Sequence, residues 1–313
     1  MPYSKFKIAV VGDIMIDHRI EGDVNKVSPE APIVILNKKE EKYALGGAAN
    51  AAANVAGLGA EVVLLGVWGF YGLSILNRLC EKTTIKNKIV MDTCRKTTIK
   101  KRFVSMGQHI LRVDDEDKHA IREDHEEYII KELKKDKFDG IILSDYGKGV
   151  LTPRICQVAI KIGSPVFVDP KDDAWLKFKG CEVITPNQKE YFSPNPPIAK
   201  NIKYIVVTMG EKGAEIIGQT GIDHGFNHVV KTEPVEVFDV GGAGDTFITA
   251  LTCEYLRTKQ IVMAVRFANK CAGIVVSKRG TQAIDIKEVS INRPHPYNTA
   301  KRIFKSILEE DNE

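Results

Sequence analysis

The chain has 313 residues, 43% of them hydrophobic, enough to bury a sizeable core as one large α/β unit or two smaller ones. Its 45 basic and 41 acidic residues leave a net charge of +4, too balanced for a nucleic-acid binder, and clusters such as Lys38-Lys39 and Lys134-Lys135 alternate with acids as solvated faces do. Six scattered cysteines without a CxxC pair, and a start without the apolar core of a signal peptide, argue for reduced thiols in a cytoplasmic protein with no membrane partner.

Lys7–Gly12 is a short apolar run closed by glycine, the pattern of a buried parallel strand. It delivers Asp13 and then Asp17 just past its carboxyl end, where open α/β sheets bind their ligands. Carboxylates there accept hydrogen bonds from sugar hydroxyls. Asp13 can equally cap a turn, so Asp17 is the better sugar ligand. Met15–Asn37 reads as extended, without helix signals. The pair Gly46-Gly47 opens a helix, Ala48–Gly57, and lets backbone approach a ligand; Asn50 in its first turn can donate to and accept from a hydroxyl. The most apolar stretch, Ala51–Leu73, is interrupted by Asn54 and Glu61, so it is a helix followed by a strand, Val62–Val67, and not a membrane span.

A helix is expected over Leu73–Cys80, then a second extended stretch over Ile89–Val113. Helical patterns at His119–Lys134 and Thr152–Ile162 alternate with apolar runs at Gly140–Leu143, Val166–Val168, Val183-Ile184 and Tyr204–Val207. That alternation predicts a doubly wound sheet covered on both faces. The two extended stretches, about residues 14–38 and 89–113, are expected to form a small β-sheet lid on a single unit spanning residues 1–313. Helices Gly244–Arg257, Ile261–Lys278 and Tyr297–Glu309 complete the expected elements.

The stretch Asp239-Val-Gly-Gly-Ala-Gly-Asp245-Thr carries the most chemistry. Helix starts leave backbone N–H groups unpaired beside a partial positive charge, and glycines let an anion come close to them. An aspartate there would repel phosphate unless it takes a proton from an attacking hydroxyl while the N–H groups hold the transferring phosphoryl group. The combination predicts a kinase. There is no G-x-x-x-x-G-K-[ST] loop and no G-x-G-x-x-G after the first strand, which argues against P-loop and dinucleotide enzymes. Asp223-His224 with His228 reads as turn or surface residues, and Trp68 and Trp175 as core.

Gly46-Gly47-Ala-Ala-Asn50 together with Asp239–Thr246 resembles the two signatures of the ribokinase-like (PfkB) carbohydrate kinase family. Val11–Asp17, Val27–Pro32, Gln108–Asp114, Ser144–Gly149, Val168–Lys171 and Thr185–Glu190 are similar to the branch of that family serving bacterial heptose synthesis. The resemblance implies a three-layer α/β sandwich with a mainly parallel sheet and a small β-lid. It implies ATP and Mg2+, and phosphorylation of C1 of D-glycero-D-manno-heptose 7-phosphate for ADP-heptose and the lipopolysaccharide core. By position, Asp245 is then the catalytic base and Gly242, Ala243 and Gly244 the anion hole. Asn187 and Glu190 help hold magnesium and the nucleotide, with Thr208 and Gly210 nearby, while Asp13, Asp17, Gly46, Gly47 and Asn50 face the sugar. A substrate phosphate needs cations, for which Lys101, Arg102 and Lys171 are candidates, beside Lys100 and Arg112. Strand alternation puts Lys101 opposite to Lys100 and Arg102, and the same cations suit a solvated sheet edge.

Two departures stand out. Gly69-Phe-Tyr-Gly72 lacks the acid that relatives carry in this turn, and Ser193–Pro197 breaks the helix that normally follows Asn187. No nucleotidyltransferase region is expected here, although some relatives fuse one. A homodimer stays open, since lid-mediated dimers are common among similar proteins. The alternatives are the same chemistry on another sugar or sugar phosphate, and a non-catalytic sugar- or nucleotide-sensing protein, against which Asp245, Asn187 and Glu190 speak.

Overall fold

In the computed structural model, which describes residues 2–171, 175–193 and 201–290, the apolar run Lys7–Gly12 forms β1 inside a nine-stranded sheet. Ile8 and Val10 enter one core cluster while Ala9 and Val11 enter another. A strand buried on both faces needs this continuous apolar run. On one side of β1 lie the parallel strands β4 (Glu61–Trp68) and β5 (Ile85–Met91). On the other lie β8 (Gly140–Ser144), β9 (Val166–Asp169), β10 (Val183–Ile184) and β11 (Tyr204–Thr208), also parallel. Two antiparallel strands, β12 (Ala214–Gly218) and β13 (Asn227–Val230), finish that edge. The strand order reverses at β1, so the crevice at its carboxyl end is the expected ligand position.

Helices cover both faces, giving the expected three-layer α/β sandwich. The first core takes side chains of α1 (Ala48–Gly57), α2 (Leu73–Glu81), α6 (Ala243–Thr258), α7 (Ile261–Val276) and α8 (Ile286–Ser290). The second takes α3 (Glu123–Lys135) and α4 (Pro153–Lys161). Alanines dominate α1 and let it pack closely on α6, which is itself buried over most of its length. Thr152 caps α4 by accepting from Ile155 N at 3.2 Å, with Pro153 in the first turn. The helix α3 starts later than its pattern suggested. His119 O accepts from Arg95 Nη2 at 2.6 Å and Ile121 N donates to Gly149 O at 3.1 Å, so this stretch is held outside the helix. Trp68 and Trp175 are core residues.

A second, four-stranded sheet has the order β3-β2-β6-β7, from β2 (Ile14–Val27), β3 (Val34–Gly47), β6 (Thr98–Ser105) and β7 (Gln108–Asp115). Its limits correct the expected lid. Ile89–Met91 belong to β5, paired with Gly66–Trp68 in the main sheet, while β3 runs on to Gly47. Edge strands of two sheets share one apolar–polar alternation, which is why the sequence pattern merged them. The expected helix Tyr297–Glu309 and the prolines 194, 196 and 197 lie outside the described residues. Among the described residues, α5 (Gln188–Tyr191) is a single turn, and no helix is long and apolar enough to cross a membrane.

Candidate active site

Asp13 leaves β1 into the crevice but turns away from it. Its Oδ2 accepts from Tyr146 N at 2.8 Å and Lys148 N at 3.0 Å, and its Oδ1 from Val150 N at 3.1 Å. Burial pushes its pKa up, and the three amides pull it back. The expectation of a sugar contact is corrected here: Asp13 anchors the loop that follows β8.

The helix α6 starts at the meeting point of the sheets. Gly242 has φ 79°, and a Cβ there would lie 2.7 Å from Asn50 Nδ2, so the position needs glycine for both conformation and space. Beside Gly244 the nearest atom to such a Cβ is Asp169 Oδ2 at 3.7 Å, which leaves that backbone approachable. Ala243 N donates to Val240 O at 3.3 Å. In the first turn, Asp245 is 2% exposed. Asn50 Nδ2 donates to its Oδ2 and the Tyr146 hydroxyl to its Oδ1, both at 2.8 Å. Burial pushes the Asp245 carboxyl up to about 6, while Asn50, Tyr146 and Lys100 pull it down and Asp17 pushes it up. Ionisation at neutral pH therefore depends on those donors as well as on the helix dipole. A largely ionised, buried carboxylate beside a helix N-terminus can take a proton next to a bound anion.

The second sheet supplies the facing wall. Asp17 is ion-paired with Arg102, and Thr281 Oγ1 donates to its Oδ2 at 2.9 Å. Gly46 lies close by, since a Cβ there would sit 3.3 Å from Asp17 Oδ2. Gly47, at φ 55°, has Asp13 O where a Cβ would reach, at 2.4 Å. In the register of β2 and β6, Asp17 pairs with Lys100 and Arg19 with Arg102, on one face, whereas Lys101 pairs with His18 on the other. The expected cation Lys101 is thus replaced by Lys100. Its Nζ sits 5.0 Å from the centroid of the Tyr146 ring, and burial lowers its pKa against the pull of Asp17. A cavity of about 490 Å³ opens beside Asp17, lined also by Arg19, Lys42, Arg102, Arg279 and Thr281. Arg112 pairs with Asp114 at 3.0 Å in an exposed position. The turn without an acid presents Phe70 and Tyr71 to solvent.

Asn187 and Glu190 meet on the far side. Asn187 Oδ1 accepts from Glu190 N at 3.1 Å and Glu190 Oε2 from Asn187 N at 2.9 Å, a capping box on α5. Lys171 Nζ approaches Glu190 Oε1 at 3.4 Å, which brings this expected substrate cation to the Asn187–Glu190 group. Thr208, at the end of β11, bridges to Asn187, and Gly210 follows in an open turn at φ 60°. Asp169, at the end of β9, is held well above the usual carboxylate range by burial, then by Asp245 and Glu190. Sequence reasoning gave no role to Tyr146, Asp169, Thr281 or Arg279. Tyr146 was visible only inside the stretch Ser144–Gly149, and Arg279 and Thr281 follow α7 without any local signal.

The sequence profile of the pfkB family carbohydrate kinases matches residues 5–288. The bifunctional protein HldE of Sulfurimonas denitrificans is 36% identical over 307 residues, covering 90% of this chain and 63% of that protein. HldE of Campylobacter jejuni serotype O:6 is 34% identical over 93% of this chain and 65% of its own length, so the chain spans under two thirds of either relative. Phosphofructokinase-2 from Escherichia coli, solved with substrates and products, superposes with a TM-score of 0.73 at 18% identity, over 91% of this chain and 97% of that one.

Proposed function

We propose that this chain, which belongs to the pfkB family of carbohydrate kinases, transfers the terminal phosphoryl group of ATP to the C1 hydroxyl of D-glycero-D-manno-heptose 7-phosphate. The observation that carries the kinase reading is Asp245: a buried carboxylate with two fixed donors, at the glycine-lined start of α6. The sugar lies against Asp17, Gly46, Gly47 and Asn50, with its reacting hydroxyl toward Asp245. Asp245 takes the hydroxyl proton, and the first-turn amides of α6 face the negative charge of the transferring group. Positioning and charge neutralisation carry most of such a reaction.

Asn187 and Glu190 provide oxygen donors suited to Mg2+, which keeps several waters and takes one or two carboxylates together with substrate phosphates. When bound, the ion neutralises charge on the nucleotide phosphates.

The heptose reading is supported by the likeness to the HldE proteins and by the cations around Asp17: Arg19, Lys100 and Arg102 on the second sheet, and Arg279 after α7. Its product, the 1,7-bisphosphate, would serve ADP-heptose synthesis for the lipopolysaccharide core, in the cytoplasm where ATP is supplied. Exposed apolar side chains along the second sheet, including Val34, Leu111 and Val113, support a homodimer through that sheet. A coupled ADP-release assay across a panel of sugars and sugar phosphates tests the reading. Turnover on heptose 7-phosphate is expected. Turnover on free hexoses with none on heptose 7-phosphate would instead favour the wider reading, the same transfer on another sugar.

A further inference from the structure

Tyr146 sits in the loop after β8, and its hydroxyl donates to Asp245 Oδ1 at 2.8 Å. We infer that Tyr146 is a positioning residue for the base: with Asn50 it fixes the plane of the Asp245 carboxylate and keeps it ionised, and through Lys100 it links that state to the second sheet. The inference deepens the kinase reading and rests on it.

Both carboxylate oxygens are held, Oδ2 by Asn50 from α1 and Oδ1 by Tyr146 from the β8 loop. The carboxylate cannot rotate without breaking both bonds, so each oxygen keeps its remaining lone pair in one direction. A general base benefits from that alignment as much as from its basicity. Tyr146 is suited to remain a neutral donor, because burial, and then the Asp245 charge, drive its phenol well above the usual value of 10.0. Its own position is fixed in turn. Tyr146 N donates to Asp13 Oδ2 at 2.8 Å, Gly147 N to Asp145 Oδ1 at 2.9 Å, and Lys177 Nζ holds Asp145 Oδ2 at 2.6 Å. The buried carboxylates of Asp13 and Asp145 thereby acquire a purpose: they hold the loop that aims the phenol.

The other charged groups facing Asp245 are Asp17 from β2, Lys100 from β6 and Asp169 from β9. Asp17 and Asp169 favour the protonated base, whereas Lys100 favours the ionised one. The Lys100 ammonium lies over the Tyr146 ring, so one lid-side cation touches the phenol and acts on the carboxylate behind it. Without the hydroxyl, burial and two acids would be opposed only by Asn50, Lys100 and the α6 dipole.

The test is a carbon-13 NMR titration of side-chain carboxyls in the full chain, free of substrate and metal, with the Asp245 signal assigned by its loss in Asp245→Asn. In the parent, Asp245 is expected to titrate at about 6. In Tyr146→Phe it should titrate about 1 pH unit higher, and kcat at neutral pH should fall about tenfold with the KM for ATP unchanged. Should Tyr146→Phe fail to fold, a ring-fluorinated tyrosine at 146, a stronger donor, should move the titration to lower pH. An Asp245 that titrates at one pH in the parent and in the altered proteins would overturn the inference. A parent without kinase turnover that still shows the titration gap would overturn the kinase reading and leave the Tyr146–Asp245 coupling standing.

Discussion

On the wall built by the main sheet, Asp13 is held by three backbone amides and Asp245 by two buried neutral donors. On the wall built by the second sheet, Asp17, Arg19 and Arg102 are held by ion pairs: Asp17 with Arg102, and Arg19 with Asp239 at 3.8 Å. Amides and buried donors have one arrangement and need no reorganisation when charge moves, which suits a group that must transfer a proton. Partly exposed ion pairs contribute little to stability and can exchange one anion for another at small cost. Under the proposed reaction, the difference suits the first wall to chemistry and the second to recognition.

The strongest way to break that contrast is Asp245→Asn. Under the proposed reaction kcat should drop by about 10³–10⁴ with the KM for sugar changed only about two- to threefold. A KM that rises as steeply as kcat falls would mean that Asp245 recognises and does not react. In the parent, kcat/KM should fall as pH drops below about 6, because the base works ionised. For stability the sign is opposite. The folded carboxyl binds its proton more tightly than the unfolded one, so it favours the fold most below 3.8, and that contribution is lost as pH rises through about 6.

Next comes Asp13→Ala, which would orphan three buried amides and lower unfolding stability by about 2–4 kcal/mol in denaturant melts. An unchanged melt with a weaker KM for sugar would return Asp13 to the sugar side. On the opposite wall, Arg102→Ala should raise the KM for the sugar phosphate about 10- to 100-fold while kcat stays within about threefold. A matching loss of kcat would erase the division between walls. The smallest effect belongs to Lys101→Ala, on the outer face of the second sheet, where all kinetic constants should stay within about twofold. Lys100→Met, one residue away, should exceed it.

The parallel strands β1, β4 and β8 to β11, and helices such as α4, were legible because each is a run of one period, often with glycine or a cap at its end, as in Lys7–Gly12 or Thr152–Ile162, whereas β5, β12 and β13, toward the edges of the sheet, were not read as its strands. The border of the second sheet was not, because Ile85–Met91 and Thr98–Ser105 carry similar alternation and only their partners distinguish them. In the site, the glycines at 46, 47 and 242 could be read as positions of close approach, and a Cβ at each would meet Met15, Asp13 O or Asn50. Lys100 against Lys101 was a question of strand phase, which the sequence stated only as an alternation. Tyr146, Asp169 and Thr281 act through partners distant in sequence, and nothing in their own neighbourhoods announces those partners.

The bond from Asn50 to Asp245 joins residues 195 positions apart, and that from Thr281 to Asp17 spans 264. At roughly 5–20 residues per second, a ribosome needs about 10–40 s to travel the shorter of these distances. Through that interval the nascent chain holds α1 with its alanine face uncovered, since α6, the helix that covers it, has not been made. Non-local closures of this kind are slow and leave apolar surface open to other chains. The site therefore closes only after α6 has been made, and until then the growing chain carries the apolar face of α1 without the helix that covers it.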